Sequence, residues 1–150
     1  VSDLPAEQRQ MIEKARHRDA ALEGRRILIV EDDVRNVYSL TSVLEPRGAL
    51  TRIARNGQEA LDALDEAAGD PEKAIDLVLM DVMMPVMDGL TAARAIRAEE
   101  RWKKLPIVML TAKAMPDDQQ KCIDAGANDY MSKPIDVDKL LSLVRVWMPR

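Results

Sequence analysis

Phenylalanine is absent from this 150-residue chain, and aromatic residues make up only 3% of it. Leucine, isoleucine, valine, alanine and methionine must therefore build the core, and a hydrophobic share of 47% is enough to do so. A lone cysteine, Cys122, excludes an internal disulfide and suits a reducing, cytoplasmic setting. With His17 as the only histidine, no His/Cys cluster can hold zinc or copper. No apolar run reaches the ~18 residues of a membrane span, and no signal-peptide pattern is visible. There is no basic excess either. The net charge of −4 offers no electrostatic footprint for nucleic acid or anionic lipid, so neither is expected as a partner. The Gly-rich loop of a dinucleotide-binding domain is missing after Ile27-Leu28-Ile29-Val30.

What is present is an alternation. Apolar runs at Ile27–Val30, Leu50–Ala54, Ile75–Met80, Ile107–Leu110 and Asp129–Met131 read as short strands. Between and after them, Asn36–Leu44, Gln58–Ala67, Leu90–Ala98, Asp117–Ala125 and Val137–Trp147 carry three- and four-residue apolar spacing, which predicts helices. Strands alternating with helices of this length imply βαβ units and a parallel sheet, an α/β fold. The first, third and fourth runs are almost wholly apolar, as strands covered on both faces are. The second, with Thr51 and Arg52, and the short fifth read as edges. Gly48 and Gly126 are placed to close helices, and Pro116-Asp117-Asp118 to open one. Residues 1–25 differ from the rest: Leu4, Met11, Ile12, Ala15 and Leu22 give a thin apolar stripe, read as a helical linker ahead of one domain at 26–150. A docked helix or a coiled-coil end is the other reading of that segment. The chain opens on Val rather than Met, which suggests excision from a longer one.

The polar residues that follow the apolar runs carry the chemistry. Glu31-Asp32-Asp33, Asp81, Thr111 and Lys133 sit at the carboxyl ends of four of them. Such ends converge on one edge of a parallel sheet, where open α/β sheets bind ligands. Carboxylates crowded there repel by ~4 kcal/mol per pair at 4 Å and an effective dielectric near 20. They tolerate this when a cation sits among them or when their pKa values rise. Hard oxygen ligands in small number favour Mg²⁺. An aspartate can act as a nucleophile toward a phosphoryl group, whose transfer is catalysed chiefly by positioning and charge stabilisation. Taken one at a time, Asp33, Asp76 and Asp88 read as caps or turn residues.

In combination, Glu31-Asp32 after the first apolar run, Asp81 within Leu79-Met80-Asp81-Val82-Met83-Met84-Pro85-Val86-Met87-Asp88-Gly89, Leu110-Thr111-Ala112 and Lys133-Pro134 resemble the receiver domain of two-component response regulators. The resemblance runs from about Arg26 to Trp147. It implies a flavodoxin-like, doubly wound five-stranded parallel sheet of order 2-1-3-4-5 flanked by five helices. It implies further that Asp81 accepts a phosphoryl group from the phosphohistidine of a histidine kinase or histidine phosphotransfer partner. Asp32, Asp81 and the Met83 backbone carbonyl would bind Mg²⁺, with Glu31 acting through water. Lys133 would bond the phosphoryl oxygens, and Pro134 would follow a cis peptide. Thr111 and Tyr130 would form the switch, although Tyr130 also reads as a half-buried edge aromatic. Partner docking would use the first helix through Val34, Asn36, Val37 and Tyr38.

Finer likeness, in Asp33–Glu45, Lys113-Ala114-Met115 and Asp136–Leu143, is to carboxy-terminal receivers of hybrid sensor histidine kinases. In that reading the domain catalyses its own aspartate phosphorylation while the parent chain holds the kinase. A stand-alone response regulator and an aspartyl-phosphate phosphatase are the alternatives. The phosphatase would carry a second acid two residues after its nucleophile, where this chain has Met83. An apolar thioether positions attacking water poorly, so a long-lived aspartyl phosphate is expected. His17, followed by Arg18, reads as a solvated linker residue, and Cys122 as packing.

Overall fold

The computed structural model describes residues 22, 24–84, 87–112, 116–133 and 135–147. The expected linker helix up to residue 21, His17, Lys113-Ala114-Met115 and the peptide before Pro134 lie outside the described residues.

Among the described residues, five strands and five α-helices alternate along the chain. Strands β1 (Arg26–Val30), β2 (Leu50–Ala54), β3 (Leu77–Asp81), β4 (Ile107–Thr111) and β5 (Asp129–Ser132) are each followed by a helix. These are α1 (Val34–Leu44), α2 (Gly57–Ala68), α3 (Gly89–Ala98), α4 (Pro116–Asp124) and α5 (Val137–Trp147). All strand pairs are parallel, in the order β2-β1-β3-β4-β5. The sheet is the expected doubly wound one, with β2 and β5 at its edges.

Side-chain alternation along the strands divides the core in two. Leu28, Val30, Val78, Met80, Ile107 and Met109 face α2, α3 and α4, where Ala60, Leu64, Ala93, Ile96 and Cys122 meet them. Ile27, Ile29, Leu77, Leu79, Val108 and Leu110 face Leu40 and Leu44 of α1 and Leu140, Leu141 and Val144 of α5. Ala60 and Ala63 of α2 and Ala92 and Ala93 of α3 are small residues buried in the first cluster, which also takes in Trp102, and Cys122 is packing, as expected. Each buried Leu or Ile contributes ~1.5–3 kcal/mol relative to exposure. Leu22, in the segment read as linker, is also buried in the second cluster, and the Gly24 amide donates to the Gly48 carbonyl at 3.0 Å.

Local chemistry sets the helix ends. Asp33, Asn56 and Asp88 cap α1, α2 and α3, each accepting a backbone N–H with its side chain. Gly126 takes φ +109 just after α4, a left-handed conformation that glycine adopts freely. Gly89 serves differently. A Cβ there would lie 2.2 Å from the Asp81 carbonyl oxygen, so only glycine lets α3 start directly behind β3. Most element ends match their sequence expectation to within two residues. The third strand begins at Leu77 rather than Ile75 because Asp76 is diverted: its carboxylate accepts the Arg26 amide at 2.8 Å, capping β1.

Candidate active site

Register alone assembles the site. Val30 pairs with Met80 across β1 and β3, so the next residues, Glu31 and Asp81, are lateral neighbours. Asp81 pairs with Leu110, which brings Thr111 alongside, and Thr111 pairs with Ser132, which brings up Lys133. Backbone bonds extend the ladder past the strand ends: Glu31 N–H to the Ala54 carbonyl at 2.9 Å, Val82 N–H to Leu110 at 3.0 Å, and Lys133 N–H to Thr111 at 2.7 Å. Four loop tips thus meet at one edge, as the sequence predicted.

The side chains converge. Lys133 Nζ lies 3.1 Å from Asp81 Oδ1 and 3.3 and 3.4 Å from the two Glu31 oxygens. Carboxylate oxygens of Glu31, Asp32 and Asp81 all fall within 4.8 Å of one another. Glu31 is only 1% exposed and Asp81 5%, whereas Asp32 is open to solvent. Thr111 is buried at the end of β4. Burial lifts the Glu31 carboxyl above the ordinary range, and the Asp81 charge adds to this, while the Asn36 hydrogen bond and the Lys133 charge oppose it. For the Lys133 ammonium, burial works toward deprotonation, but hydrogen bonds and charges of Asp81 and Glu31 outweigh it and hold it above the usual lysine value. Three carboxylates against one ammonium leave an excess of hard anionic oxygen, with no His or Cys among them. That donor set fits a small divalent cation such as Mg²⁺.

The remaining residues fall into two groups. Met83 is 74% exposed beside Asp81. Tyr130 is half-buried against the first core cluster and borders a hollow of about 580 Å³ lined by Gln119, Met131, Lys139 and Leu143. On α1, Val34 and Tyr38 are 64% and 74% exposed and Val37 is half-buried. Asn36 turns the other way: its amide donates to Glu31 Oε1 at 2.6 Å. The sequence grouped Asn36 with the outward residues, but a signal for its direction existed. Asn36, Leu40 and Leu44 stand four residues apart, and the last two are buried. Asp33, Asp76 and Asp88 are spent on backbone amides, as caps and turn residues are.

Comparison with known proteins agrees with this geometry. Residues 27–145 match the family model described as the response regulator receiver domain. The sensor protein GacS of Pseudomonas syringae is 39% identical over 125 residues, covering 81% of this chain and 13% of that protein. Hybrid signal transduction histidine kinase M of Dictyostelium discoideum is 38% identical over 122 residues, 79% of this chain and 5% of that protein. The chain thus spans a small fraction of these relatives. Among solved structures, the receiver domain of the Pseudomonas aeruginosa sensor histidine kinase PA1611, with magnesium coordinated in its active-site cleft, superposes with a TM-score of 0.71 at 34% identity, covering 83% of this chain and 98% of that one. The Saccharomyces cerevisiae receiver domain of Ssk1, crystallised with the histidine phosphotransfer protein Ypd1, belongs to a structure matching with a TM-score of 0.74 at 32% identity, over 83% of this chain and 88% of that one.

Proposed function

The chain belongs to the response regulator receiver family, and from that membership we propose that Asp81 accepts a phosphoryl group from a partner's phosphohistidine. In the transfer the histidine N–P bond breaks as a bond forms from an Asp81 carboxylate oxygen to phosphorus, and the freed imidazole keeps the electron pair. The observation that carries the reading is the Asp81–Lys133 contact of 3.1 Å inside the acidic cluster. Asp32, Asp81 and the Met83 carbonyl would hold Mg²⁺, with Glu31 acting through water. The ion would offset the charge of the incoming phosphoryl oxygens. Lys133 would then pass from the carboxylates to a phosphoryl oxygen, and Thr111 would donate its hydroxyl to another.

Phosphate matters to signalling only through its different interaction with two states. Movement of Thr111 toward the phosphoryl group would vacate space for the Tyr130 ring, reshaping the face of α4, β5 and α5 beside the hollow at Tyr130. Partner docking would use the start of α1, where Val34 and Tyr38 are exposed and Val37 lies beside them, with Asn36 contributing only its edge. The parent chain would be a hybrid histidine kinase, as several relatives of similar sequence are, with residues 1–25 a linker and the domain on the cytoplasmic side. Among the described residues no helix is long and apolar enough to cross a membrane. Charge reversal of Arg35 or Val37→Glu should slow transfer from the partner and leave small-molecule phosphorylation intact.

The test incubates the protein with Mg²⁺ and acetyl phosphate and follows phosphoprotein by mass. Uptake by the wild type and none by Asp81→Asn is the expected result. Equal uptake by both would overturn the assignment of Asp81.

A further inference from the structure

We infer that Asn36 is a positioning residue for the metal site, holding the Glu31 carboxylate in place from α1. The inference rests on the proposed magnesium site and deepens it. Glu31 is almost fully buried, at the end of a strand that is fixed on both sides. Its carboxylate has two donors. Lys133 Nζ reaches both oxygens at 3.3 and 3.4 Å, and Asn36 Nδ2 reaches Oε1 at 2.6 Å. Lys133 is shared with Asp81, so Glu31 cannot rely on it once a phosphoryl group competes for the ammonium. Asn36 has no such divided duty. Its helix is fixed by the Asp33 cap, by the Val37 amide on the Asp33 carbonyl at 3.0 Å, and by Leu40 and Leu44 buried on the same side.

The choice of an amide has a physical reason. A neutral donor orients a carboxylate without cancelling its charge, so the pocket keeps its attraction for a cation. A lysine or arginine in its place would hold Glu31 equally well and compete with the ion. Groups that orient direct metal ligands typically change metal affinity 10–100-fold when removed, and Asn36, acting behind a carboxylate that reaches the ion through water, falls at the low end of that range. Asn36 also shares its helix with exposed Val34 and Tyr38, so the element read as the docking face reaches the pocket through this one side chain.

The experiment measures Mg²⁺ binding by calorimetry with no phosphate donor present. Asn36→Leu and Asn36→Ala should raise the Kd for Mg²⁺ about tenfold, in line with such outer groups, whereas Ser42→Ala, exposed on the same helix, should leave it unchanged. Acetyl-phosphate uptake by the Asn36 variants should fall at limiting Mg²⁺ and recover at saturating Mg²⁺. A Kd within twofold of the wild type in both folded variants would overturn the inference, as would loss confined to transfer from a phosphohistidine partner. Should neither variant fold, the wild-type Asn36 side-chain amide protons decide: slow exchange and a shift on Mg²⁺ saturation support the role, and fast exchange with no shift overturns it. A wild type that takes up phosphate on Asp81 with unaltered Mg²⁺ affinity in the variants sinks this inference alone. A wild type that binds no Mg²⁺ sinks the proposed site with it.

Discussion

The two edges of the same sheet treat polar groups in opposite ways. At the amino edge and the loops behind it, the carboxylate, amide and guanidinium groups of Asp76, Asn128 and Arg97 are matched. Asp76 takes the Arg26 amide, and Asn128 Oδ1 takes both the Ile107 amide at 2.9 Å and Arg97 Nη2 at 2.7 Å. Arg97 also donates to the Gly126 and Trp102 carbonyls at 2.8 Å each. At the carboxyl edge, Glu31, Asp32 and Asp81 meet, among the described residues, one ammonium, that of Lys133. Matched groups stabilise the fold. Unmatched ones are tolerated by it, and their imbalance marks this edge as the candidate site.

Asp81→Asn should break that contrast most completely. It abolishes phosphoryl uptake measured by mass, whereas Asp76→Asn at the other edge leaves uptake near wild type. Next in size is Arg97→Ala, which strands carbonyl acceptors on the α3–β5 side. It should cost roughly 2–3 kcal/mol in urea unfolding, within the range for lost bonds to a charged group, without changing Mg²⁺ affinity. Lys133→Met in chelator should cost roughly 1–2 kcal/mol at neutral pH. Because the folded lysine value is raised, that stabilisation is present below the ordinary value of about 10.4 and is lost as pH climbs through the folded one. Melting curves of wild type and variant should therefore converge in strong alkali. The smallest effect has the opposite sign. Glu31 is raised by burial, so its ionisation opposes folding by an amount that grows from the ordinary carboxyl range up to the raised folded value and persists above it. Glu31→Gln in chelator should gain a little stability at neutral pH, below about 1 kcal/mol, and none below pH ~4, where both states are protonated. A loss of stability in that variant at neutral pH would mean that its contacts with Lys133 and Asn36 outweigh its desolvation.

Much of this was legible because strand ends in a parallel sheet are forced together. With Val30 and Met80 at strand ends and the strand order that the resemblance implies, Glu31 and Asp81 become neighbours, and the Lys133 contact follows across two more strands, β4 and β5. Element ends were less legible where a side chain competes with the ladder, as Asp76 does by capping β1. The sequence groups Asn36 with the docking residues by its place on the first helix, and its four-residue spacing to buried Leu40 is the signal for its contact with Glu31. Leu22 belongs to a thin apolar stripe in the sequence, and such a stripe looks the same whether it is solvated or docked, so its burial is settled only by the fold.

Behind the proposed acceptor stands Gly89, pressed so near the Asp81 carbonyl that not even a methyl group would fit between. That leaves the strand no slack at its rear. A phosphoryl group arriving at the carboxylate, as proposed, would find β3 backed directly by the start of α3, with no room to retreat on that side.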